Sequence, residues 1–297
     1  MPLRLGIIGM SPGNGHPYSW SAIFNGYDRE AMESCGFPVI PRYLEQREFP
    51  GDQISEARVT HVWAQESDLA EHIARAARIE SVANQYTDMI GQVDAVLLAR
   101  DDAERHVEFA LPFLEAGLPL YVDKPLALSV AEAEQLFEAQ RYPGQLFSCS
   151  ALRYAREFQL SAEDRAAIGT IRHIHATTPK GWDKYAVHVL EPALLLAEGR
   201  GSVSAAQAWQ SEDATTLAVY YESGFQLLAS ALGGASAPMS LRVMGDKGWK
   251  DLIFLDSFTA FRSALQEFVS GVRERQPRIA TDFTLEVVSL IEAGRSS

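Results

Sequence analysis

The strongest constraint on the fold is the alternation of short apolar runs with helical patterns in the first half of the chain. The apolar runs, each suited to one buried strand, span residues 3–8, 59–63, 93–99 and 118–122. Predicted helices lie between them, the first over residues 20–33. Repeats of this kind pack as a parallel sheet with helices on both faces. The sequence therefore predicts a doubly wound α/β domain in the N-terminal half.

The second half changes to a period of two. Its alternating segments and final helical patterns are residues 171–177, 205–209, 215–221, 225–231 and 241–244, then 258–274 and the segment after Thr281. Such alternation is typical of an antiparallel sheet with one covered face. The segment Tyr221-Glu222-Ser223-Gly224 indicates a hairpin. Residues 37–57 fit neither pattern and, with four prolines or glycines, are predicted to be an irregular insertion.

Length, charge and cysteine content limit the possible functions. A length of 297 residues suggests two domains. The formal net charge of -13 argues against binding to nucleic acid or to an anionic membrane, because both require a basic face. Cys35 and Cys149 are far apart, so neither a disulfide framework nor a thiolate zinc site is expected. With no predicted signal peptide or membrane span, the expected location is the cytoplasm.

A glycine-rich segment connects the first predicted strand to the first predicted helix. It reads Gly9-Met10-Ser11-Pro12-Gly13-Asn14-Gly15-His16. A turn at this point directs backbone N–H groups and a helix dipole at a pyrophosphate in dinucleotide-binding folds. Ser11 and Asn14, however, replace the second and third glycines of the G-x-G-x-x-G pattern. Two interpretations stay open: a cofactor-binding loop, or a tight connection that binds no ligand.

The end of the second predicted strand bears on cofactor choice. In dinucleotide-binding folds an acidic residue near this point binds the adenosine ribose. Here the strand ends at Ala64, which Gln65 and Glu66 follow. Glu66 is either the ribose ligand or a solvated residue at a helix start. The sequence therefore leaves the choice between NAD and NADP open.

The segment Tyr121-Val122-Asp123-Lys124-Pro125-Leu126-Ala127 resembles a motif of a known family. It is similar to the strand and Glu-Lys-Pro motif of the glucose-fructose oxidoreductase/inositol dehydrogenase (Gfo/Idh/MocA) family, with Asp123 in place of the glutamate. Further similar segments follow over essentially the whole chain: residues 93–98 with His106, 114–117, Arg153, 243–248 and 281–283. The resemblance implies a Rossmann domain over residues 1–123. It also implies an α/β domain with a large, mostly antiparallel sheet over residues 124–297, which binds substrate and forms a homodimer or homotetramer.

A second motif of the family contains a histidine at the start of a helix that faces the nicotinamide. Its match here is Tyr185-Ala186-Val187-His188-Val189-Leu190-Glu191. Glu191 stands where the family usually has aspartate. Lys184 occupies the position four residues before the histidine, where the family commonly has another aspartate. A mechanism that needs a carboxylate at that position is therefore not supported here.

The chemistry implied by the resemblance assigns roles to individual residues. Oxidation of an alcohol needs a hydride acceptor and a base for the hydroxyl proton. We expect His188 to be the base and Lys124 to orient and polarise the hydroxyl, or the reverse, with Tyr185 as a further catalytic candidate. The residues expected to bind the cofactor are Gly9, Ser11, Gly13, Asn14, Gly15, His16, Glu66, Arg100, Asp123 and Lys124. The residues expected to bind a polyhydroxylated substrate are Arg153, Lys180, Trp182 and Glu191. No metal is expected, since His173 and His175 lie on one strand face without a third ligand.

The expected function is that of an NAD(P)-dependent oxidoreductase acting on a hydroxyl carbon of a sugar, a sugar derivative or a cyclitol. One alternative is a non-catalytic dinucleotide- or sugar-binding regulatory protein, which the altered glycine loop, Ala64 and Lys184 favour. Another is an enzyme that oxidises its substrate only transiently, to permit elimination or hydrolysis. The presence of Lys124 together with His188 favours the oxidoreductase.

Overall fold

The computed structural model describes residues 1–295, which form two compact units. The first unit contains Met1–Ala127, Ala131–Ser148 and Phe261–Thr281. The second contains Leu128–Val130, Cys149–Ala260 and the chain from Asp282 onward. Each unit is built around its own six-stranded sheet.

Strands and helices alternate along the first unit. The strands are β1 (Leu3–Ile8), β2 (Ala57–Trp63), β3 (Ser81–Val82), β4 (Ala95–Leu98), β5 (Leu120–Val122) and β6 (Leu146–Phe147). The helices are α1 (His16–Asn25), α2 (Arg29–Glu33), α3 (Val39–Leu44), α4 (Ser67–Ala76), α5 (His106–Glu115) and α6 (Val130–Glu138). All strands are parallel and lie in the order β3-β2-β1-β4-β5-β6. In this Rossmann order the strand sequence reverses beside β1, which opens a crevice at the carboxyl ends of β1 and β4.

The parallel sheet is buried because its central strands are apolar on both faces. Every residue of β4 is buried, as are the last four residues of β1. Aromatic side chains extend this core. Trp20 of α1 stacks on Tyr121 of β5 with 4.8 Å between ring centroids, and Tyr121 also contacts Phe147 and Phe268. The predicted fold class of the N-terminal half is confirmed.

Two local predictions for the first unit are wrong. Residues 20–33 were expected to form one helix, but α1 ends before Gly26, which adopts a φ of 72°. Asp28 then starts α2 by accepting a hydrogen bond from Ala31 N at 2.9 Å. Residues 37–57 are not wholly irregular, because they contain α3. Pro41 is compatible with that helix since it lies in the first turn, where a missing N–H costs no hydrogen bond.

The second unit contains a mostly antiparallel sheet, as predicted. Its strands are β7 (Ile171–Thr178), β8 (Val203–Gln210), β9 (Thr215–Tyr221), β10 (Gln226–Ala231), β11 (Ser240–Gly245) and β12 (Trp249–Ile253). The remaining helices of the chain are α7 (Ala162–Ile168), α8 (Trp182–Tyr185), α9 (Val187–Leu196), α10 (Ser257–Glu274) and α11 (Thr281–Arg295). The strand order is β12-β11-β7-β10-β9-β8, and only β7 and β10 pair in parallel.

The alternation read from the sequence gives this sheet one buried face. Ile174 and Ala176 of β7 are fully buried, and α9 packs against β7, β10 and β11. The strand register places one row of side chains on the opposite face: Tyr220, Gln226, His173, Met244 and Trp249. The predicted hairpin is confirmed between β9 and β10. The sequence did not predict β12, because its one buried residue, Leu252, leaves no alternating apolar pattern.

Two kinds of feature are absent from the described residues. No helix within residues 1–295 combines the length and the hydropathy needed to cross a membrane. In the same part of the chain, no three His, Cys, Asp or Glu side chains are grouped so that they could hold a metal ion.

Candidate functional site

The glycine-rich loop runs from the end of β1 to the start of α1, at the point where the strand order reverses. At Gly9, strand and helix approach so closely that a Cβ atom would lie 2.2 Å from Pro17 Cγ. Gly13 lies at the exposed tip with a φ of 82°, and no atom of the described residues lies within 4 Å of where its Cβ would be. The loop therefore combines a tight turn at its base with open space at its tip.

Ser11, at the second glycine position, directs its side chain toward the segment after β4. Its Oγ donates to Asp101 Oδ1 at 2.7 Å and accepts a hydrogen bond from Asp101 N at 3.0 Å. Both residues are buried. The hydroxyl thus joins the two segments that flank the crevice.

Asn14 and His16 converge on the buried carboxylate of Asp123, which directly follows β5. Asn14 Nδ2 donates to Asp123 Oδ2 at 2.8 Å, and His16 Nδ1 lies 2.5 Å from the same oxygen. Lys124 N donates to the other oxygen at 2.8 Å. Asn14 Oδ1 also accepts the His16 N–H at 2.8 Å. The side chain at the third glycine position is therefore held by both α1 and the segment after β5.

Lys124 has a buried side chain whose Nζ lies 3.4 Å from Asp101 Oδ2. Asp101 therefore binds Ser11 through one carboxylate oxygen and Lys124 through the other. The His106 ring lies between the two segments, with Nδ1 3.0 Å from Leu126 O and Nε2 2.8 Å from Arg100 O. A buried lysine beside a carboxylate at a ligand-binding edge is a candidate for proton transfer.

Arg100 supports the glycine loop from the end of β4. Its guanidinium binds both carboxylate oxygens of Asp102, at 3.0 and 2.5 Å, and donates to Met10 O at 2.9 Å. Gln65 Oε1 accepts from Met10 N at 3.0 Å and from the same guanidinium at 3.2 Å. These bonds show Arg100 fixing the loop conformation, and its contact with a cofactor stays a prediction.

Glu66 lies at the carboxyl end of the sheet, directly before α4. Its side chain is exposed and forms no capping hydrogen bond with the described helix. Ala64, which precedes it by two residues, is buried. This placement suits a ribose ligand at Glu66, and that role stays a prediction.

The loop fits a nicotinamide dinucleotide with one difference from the glycine-rich pattern. Its location, its turn and the open tip at Gly13 are what a pyrophosphate needs. One N–H of the first helical turn, that of His16, is already bound to Asn14 Oδ1. The remaining loop amides and the His16 imidazole would therefore hold the phosphates.

In the second unit, two residues of α9 hold Ser150 at two points. His188 Nδ1 lies 2.7 Å from Ser150 Oγ, and Glu191 Oε2 accepts the Ser150 N–H at 2.8 Å. All three residues are buried. Because His188 and Glu191 are three positions apart, they project from the same side of the helix. Together they fix the imidazole relative to Ser150.

Burial dominates the electrostatics of Glu191. It raises the pKa of Glu191 from an ordinary value of 4.5 to about 7, although the Arg153 charge and the Ser150 N–H favour the ionised form. The structure therefore places Glu191 behind Ser150, and a direct contact with substrate stays a prediction. Arg153 Cζ lies 4.7 Å from the ring centroid of Phe283.

Tyr185 connects His188 to a cavity of the second unit. Lys180 Nζ donates to Tyr185 OH at 2.5 Å, and the rings of Tyr185 and His188 lie 5.5 Å apart, edge to face. Lys180, Tyr185 and Trp182 line a cavity of about 780 Å³. The indole N–H of Trp182 donates to Ile291 O at 2.9 Å, and a contact of Trp182 with substrate stays a prediction.

Sequence reasoning missed two residues of these groups. Asp101 follows β4 at the edge where ligands bind, and this position alone could have identified it. Ser150 gave no signal, because it follows the two-residue strand β6 and has no distinctive pattern around it.

The sheet order, the glycine loop and the buried Lys124 define the first unit as a dinucleotide-binding Rossmann domain. The chain belongs to the Gfo/Idh/MocA family: the family model, described as "Oxidoreductase family, NAD-binding Rossmann fold", matches residues 3–150. The resemblance read from the sequence and the expected nicotinamide dinucleotide cofactor are thus confirmed. A search of curated protein sequences found no match.

Several solved structures share the fold over the whole chain. A myo-inositol 2-dehydrogenase from Lactobacillus plantarum is 18% identical, with 100% of this chain and 97% of that chain covered and a TM-score of 0.75. A UDP-N-acetylglucosamine 3-dehydrogenase from Acidithiobacillus ferrooxidans is 14% identical, with 99% and 97% covered and a TM-score of 0.72. A biliverdin reductase from Synechocystis, in complex with biliverdin and NADP+, is 14% identical, with 99% and 98% covered and a TM-score of 0.70.

Proposed function

We propose that this protein is an NAD(P)-dependent oxidoreductase that transfers a hydride between a nicotinamide and a hydroxyl carbon of a sugar, a sugar derivative or a cyclitol. The observation that carries the proposal is one buried ionisable side chain in each unit: Lys124 beside Asp101 in the first, and His188 beside Ser150 in the second. The family's NAD-binding fold supports the cofactor. The structural similarity to an inositol dehydrogenase and to a sugar-nucleotide dehydrogenase supports the proposed substrate class.

The proposed chemistry divides between two side chains. One of Lys124 and His188 takes the proton of the substrate hydroxyl, and the other orients and polarises its oxygen. Tyr185 contacts the substrate beside His188. A bound nicotinamide would accept the hydride, with both electrons of the C–H bond. The hydrogen-bonding groups proposed to surround the substrate are Arg153, Lys180, Trp182 and Glu191.

The proposed cofactor site uses the carboxyl ends of the first unit's strands. Its proposed residues are Gly9, Ser11, Gly13, Asn14, Gly15, His16, Glu66, Arg100, Asp123 and Lys124. Of these, Gly13 would approach the pyrophosphate most closely, because it is exposed and no described atom lies within 4 Å of where its Cβ would be. Ser11, Arg100 and Asp123 would act mainly by holding the loop, as their bonds indicate.

Thermal-shift titration with NAD, NADH, NADP and NADPH tests the proposal first. A ligand that binds only the folded protein at about 100 times its Kd stabilises it by about 2.7 kcal/mol. We expect a saturable rise in melting temperature with one cofactor pair, followed by polyol-dependent absorbance change at nicotinamide wavelengths. Lys124→Met should lose turnover and retain a reduced but measurable thermal shift, because Lys124 is one of several proposed cofactor contacts. Folded protein that no dinucleotide stabilises would refute the proposal.

One contact favours the second candidate, a non-catalytic dinucleotide- or sugar-binding regulatory protein. Asn14 Oδ1 accepts the hydrogen bond of the His16 N–H, a helix-terminal donor that a pyrophosphate could otherwise bind. Binding of a dinucleotide or a sugar without turnover of any polyol would establish this candidate instead.

We further propose that residues 1–123 bind the cofactor and that residues 124–297 bind substrate and form a homodimer or homotetramer. The exposed face of the second sheet supports this assembly, since it carries Tyr220 and Trp249 at 47% and 64% exposure. Sedimentation velocity of the wild type and of Trp249→Glu measures the assembly. A monomeric wild type would contradict it.

A further inference from the structure

Ser150 is the fully buried partner of His188 in the second unit. It begins a 3₁₀ turn over Ala151–Tyr154, and its Oγ accepts a hydrogen bond from Leu152 N at 3.2 Å. The same Oγ lies 2.7 Å from His188 Nδ1. Within residues 1–295, these two groups are the partners of the hydroxyl.

The direction of the bond to His188 follows from counting protons. A serine hydroxyl offers one proton and two acceptor lone pairs. Leu152 N–H occupies one lone pair. If His188 Nδ1–H donated to the other, the hydroxyl proton would be buried without an acceptor among the described residues, which costs free energy. If the hydroxyl donates to Nδ1 instead, its proton and the Leu152 N–H are both bonded, and the neutral imidazole carries its proton on Nε2.

We propose that Ser150 is a positioning residue that fixes neutral His188 in the tautomer protonated on Nε2. The main chain of Ser150 cannot easily rotate away, because Glu191 holds its N–H from the next turn of α9. Ser150 thus orients the ring without a carboxylate four residues before His188, where this chain has Lys184.

This inference rests on the proposed function and assigns its two roles. An imidazole that is protonated on Nε2 and bonded at Nδ1 has no lone pair left to take a proton. His188 would therefore not act as the base. Of the two assignments left open by the sequence, this selects Lys124 for that role.

The tautomer can be measured directly on the full chain without substrate or cofactor. Long-range ¹H–¹⁵N correlation spectra of ¹⁵N-histidine-labelled protein distinguish a protonated from an unprotonated ring nitrogen. A pH of 8.5 keeps histidines neutral, since it is about two units above their ordinary pKa of about 6.5. The His188→Gln variant identifies the His188 signals. We expect the proton on Nε2 in the wild type and in Ser150→Thr, and a mixed population in Ser150→Ala.

A control and an activity readout complete the experiment. Ser230→Ala removes another buried serine of the same unit, one that bonds Thr216 Oγ1 at 2.9 Å, and should leave the His188 signals unchanged. With an active substrate, Ser150→Ala should lower kcat by about tenfold or more while dinucleotide affinity is unchanged, and Ser150→Thr should restore most of the loss.

The wild-type spectrum, assigned with His188→Gln, tests the tautomer by itself, so a poorly folded Ser150 variant does not weaken that test. A proton on Nδ1 in the wild type, or an unchanged tautomer in folded Ser150→Ala, would overturn the inference. Failure of the proposed function shows differently, as the lack of stabilisation by any of the four dinucleotides. A protein that turns over substrate with the opposite tautomer refutes the role of Ser150 alone.

Discussion

Replacing Glu191 with glutamine should change how the stability of the protein depends on pH. Glu191 is 2% exposed, and burial raises its pKa to about 7. A glutamine side chain is of similar size, can accept the Ser150 N–H through Oε1, and is uncharged at every pH. The substitution therefore removes one titrating group with little change in packing.

The sign of the effect follows from proton linkage. A carboxyl group whose pKa is raised on folding binds its proton more tightly in the native state than in the unfolded state. Its contribution to stability is fully present below pH 4.5 and is lost as the pH rises through about 7. That difference in pKa corresponds to roughly 3 kcal/mol, at about 1.4 kcal/mol for each pH unit. Between pH 5 and pH 8 the wild type should thus lose roughly 2 to 3 kcal/mol more than Glu191→Gln.

Urea denaturation at several pH values between 5 and 8 measures this difference. Glu198→Gln is the matched control, because Glu198 is an exposed carboxylate that closely follows α9. The free energy of unfolding of Glu191→Gln should rise relative to the wild type as the pH increases, while Glu198→Gln should run parallel to the wild type. Parallel curves for Glu191→Gln as well would show that burial does not control this carboxyl group, and would refute the reasoning.

Three other substitutions test contacts within the two units. Ser11→Ala leaves Asp101 N and one carboxylate oxygen without their buried partner, so the free energy of unfolding should fall by about 1–3 kcal/mol in urea denaturation; an unchanged value would contradict the bond. Lys124→Met should lower kcat by about 100-fold or more while dinucleotide Kd, measured by calorimetry, stays within about tenfold. An equal loss of binding would instead show that Lys124 acts only as a cofactor ligand and has no catalytic role. In Gly294→Ala the new Cβ would lie 2.2 Å from the Trp182 ring. We therefore expect a lower melting temperature, from a loss of about 1–3 kcal/mol in the free energy of unfolding. An unchanged melting temperature would contradict this close packing.

The parts of the fold that could be predicted are those whose burial leaves a regular pattern. β4 and the last four residues of β1 are buried on both faces and carry no polar side chain, which marks them in the sequence. β7 has one buried face, so buried and partly exposed side chains alternate along most of its length. The interruption after α1 could not be found in this way, because the apolar pattern continues through Gly26 into the next helix.

The candidate site could be predicted only where its residues form local motifs. Lys124 and His188 lie in short segments that resemble the family, so both were identified. Asp101 and Ser150 act through partners far away in sequence: Ser11 is 90 positions from Asp101, and Ser150 is 38 positions from His188. These hydrogen bonds form only in the folded chain, so the residues next to Asp101 and Ser150 in sequence do not indicate them.

Asp123 is hydrogen-bonded to the glycine loop, so a redesign of the loop also changes the surroundings of this carboxylate. Its carboxylate balances Asn14, a residue 109 positions away that departs from the glycine pattern. Glycine at position 14 would remove one of the two groups bonded to Asp123 Oδ2 and would leave the His16 N–H without its acceptor. The loop and the aspartate of the Asp-Lys-Pro motif are therefore joined by a direct side-chain contact. A redesign should change Asn14 and Asp123 together.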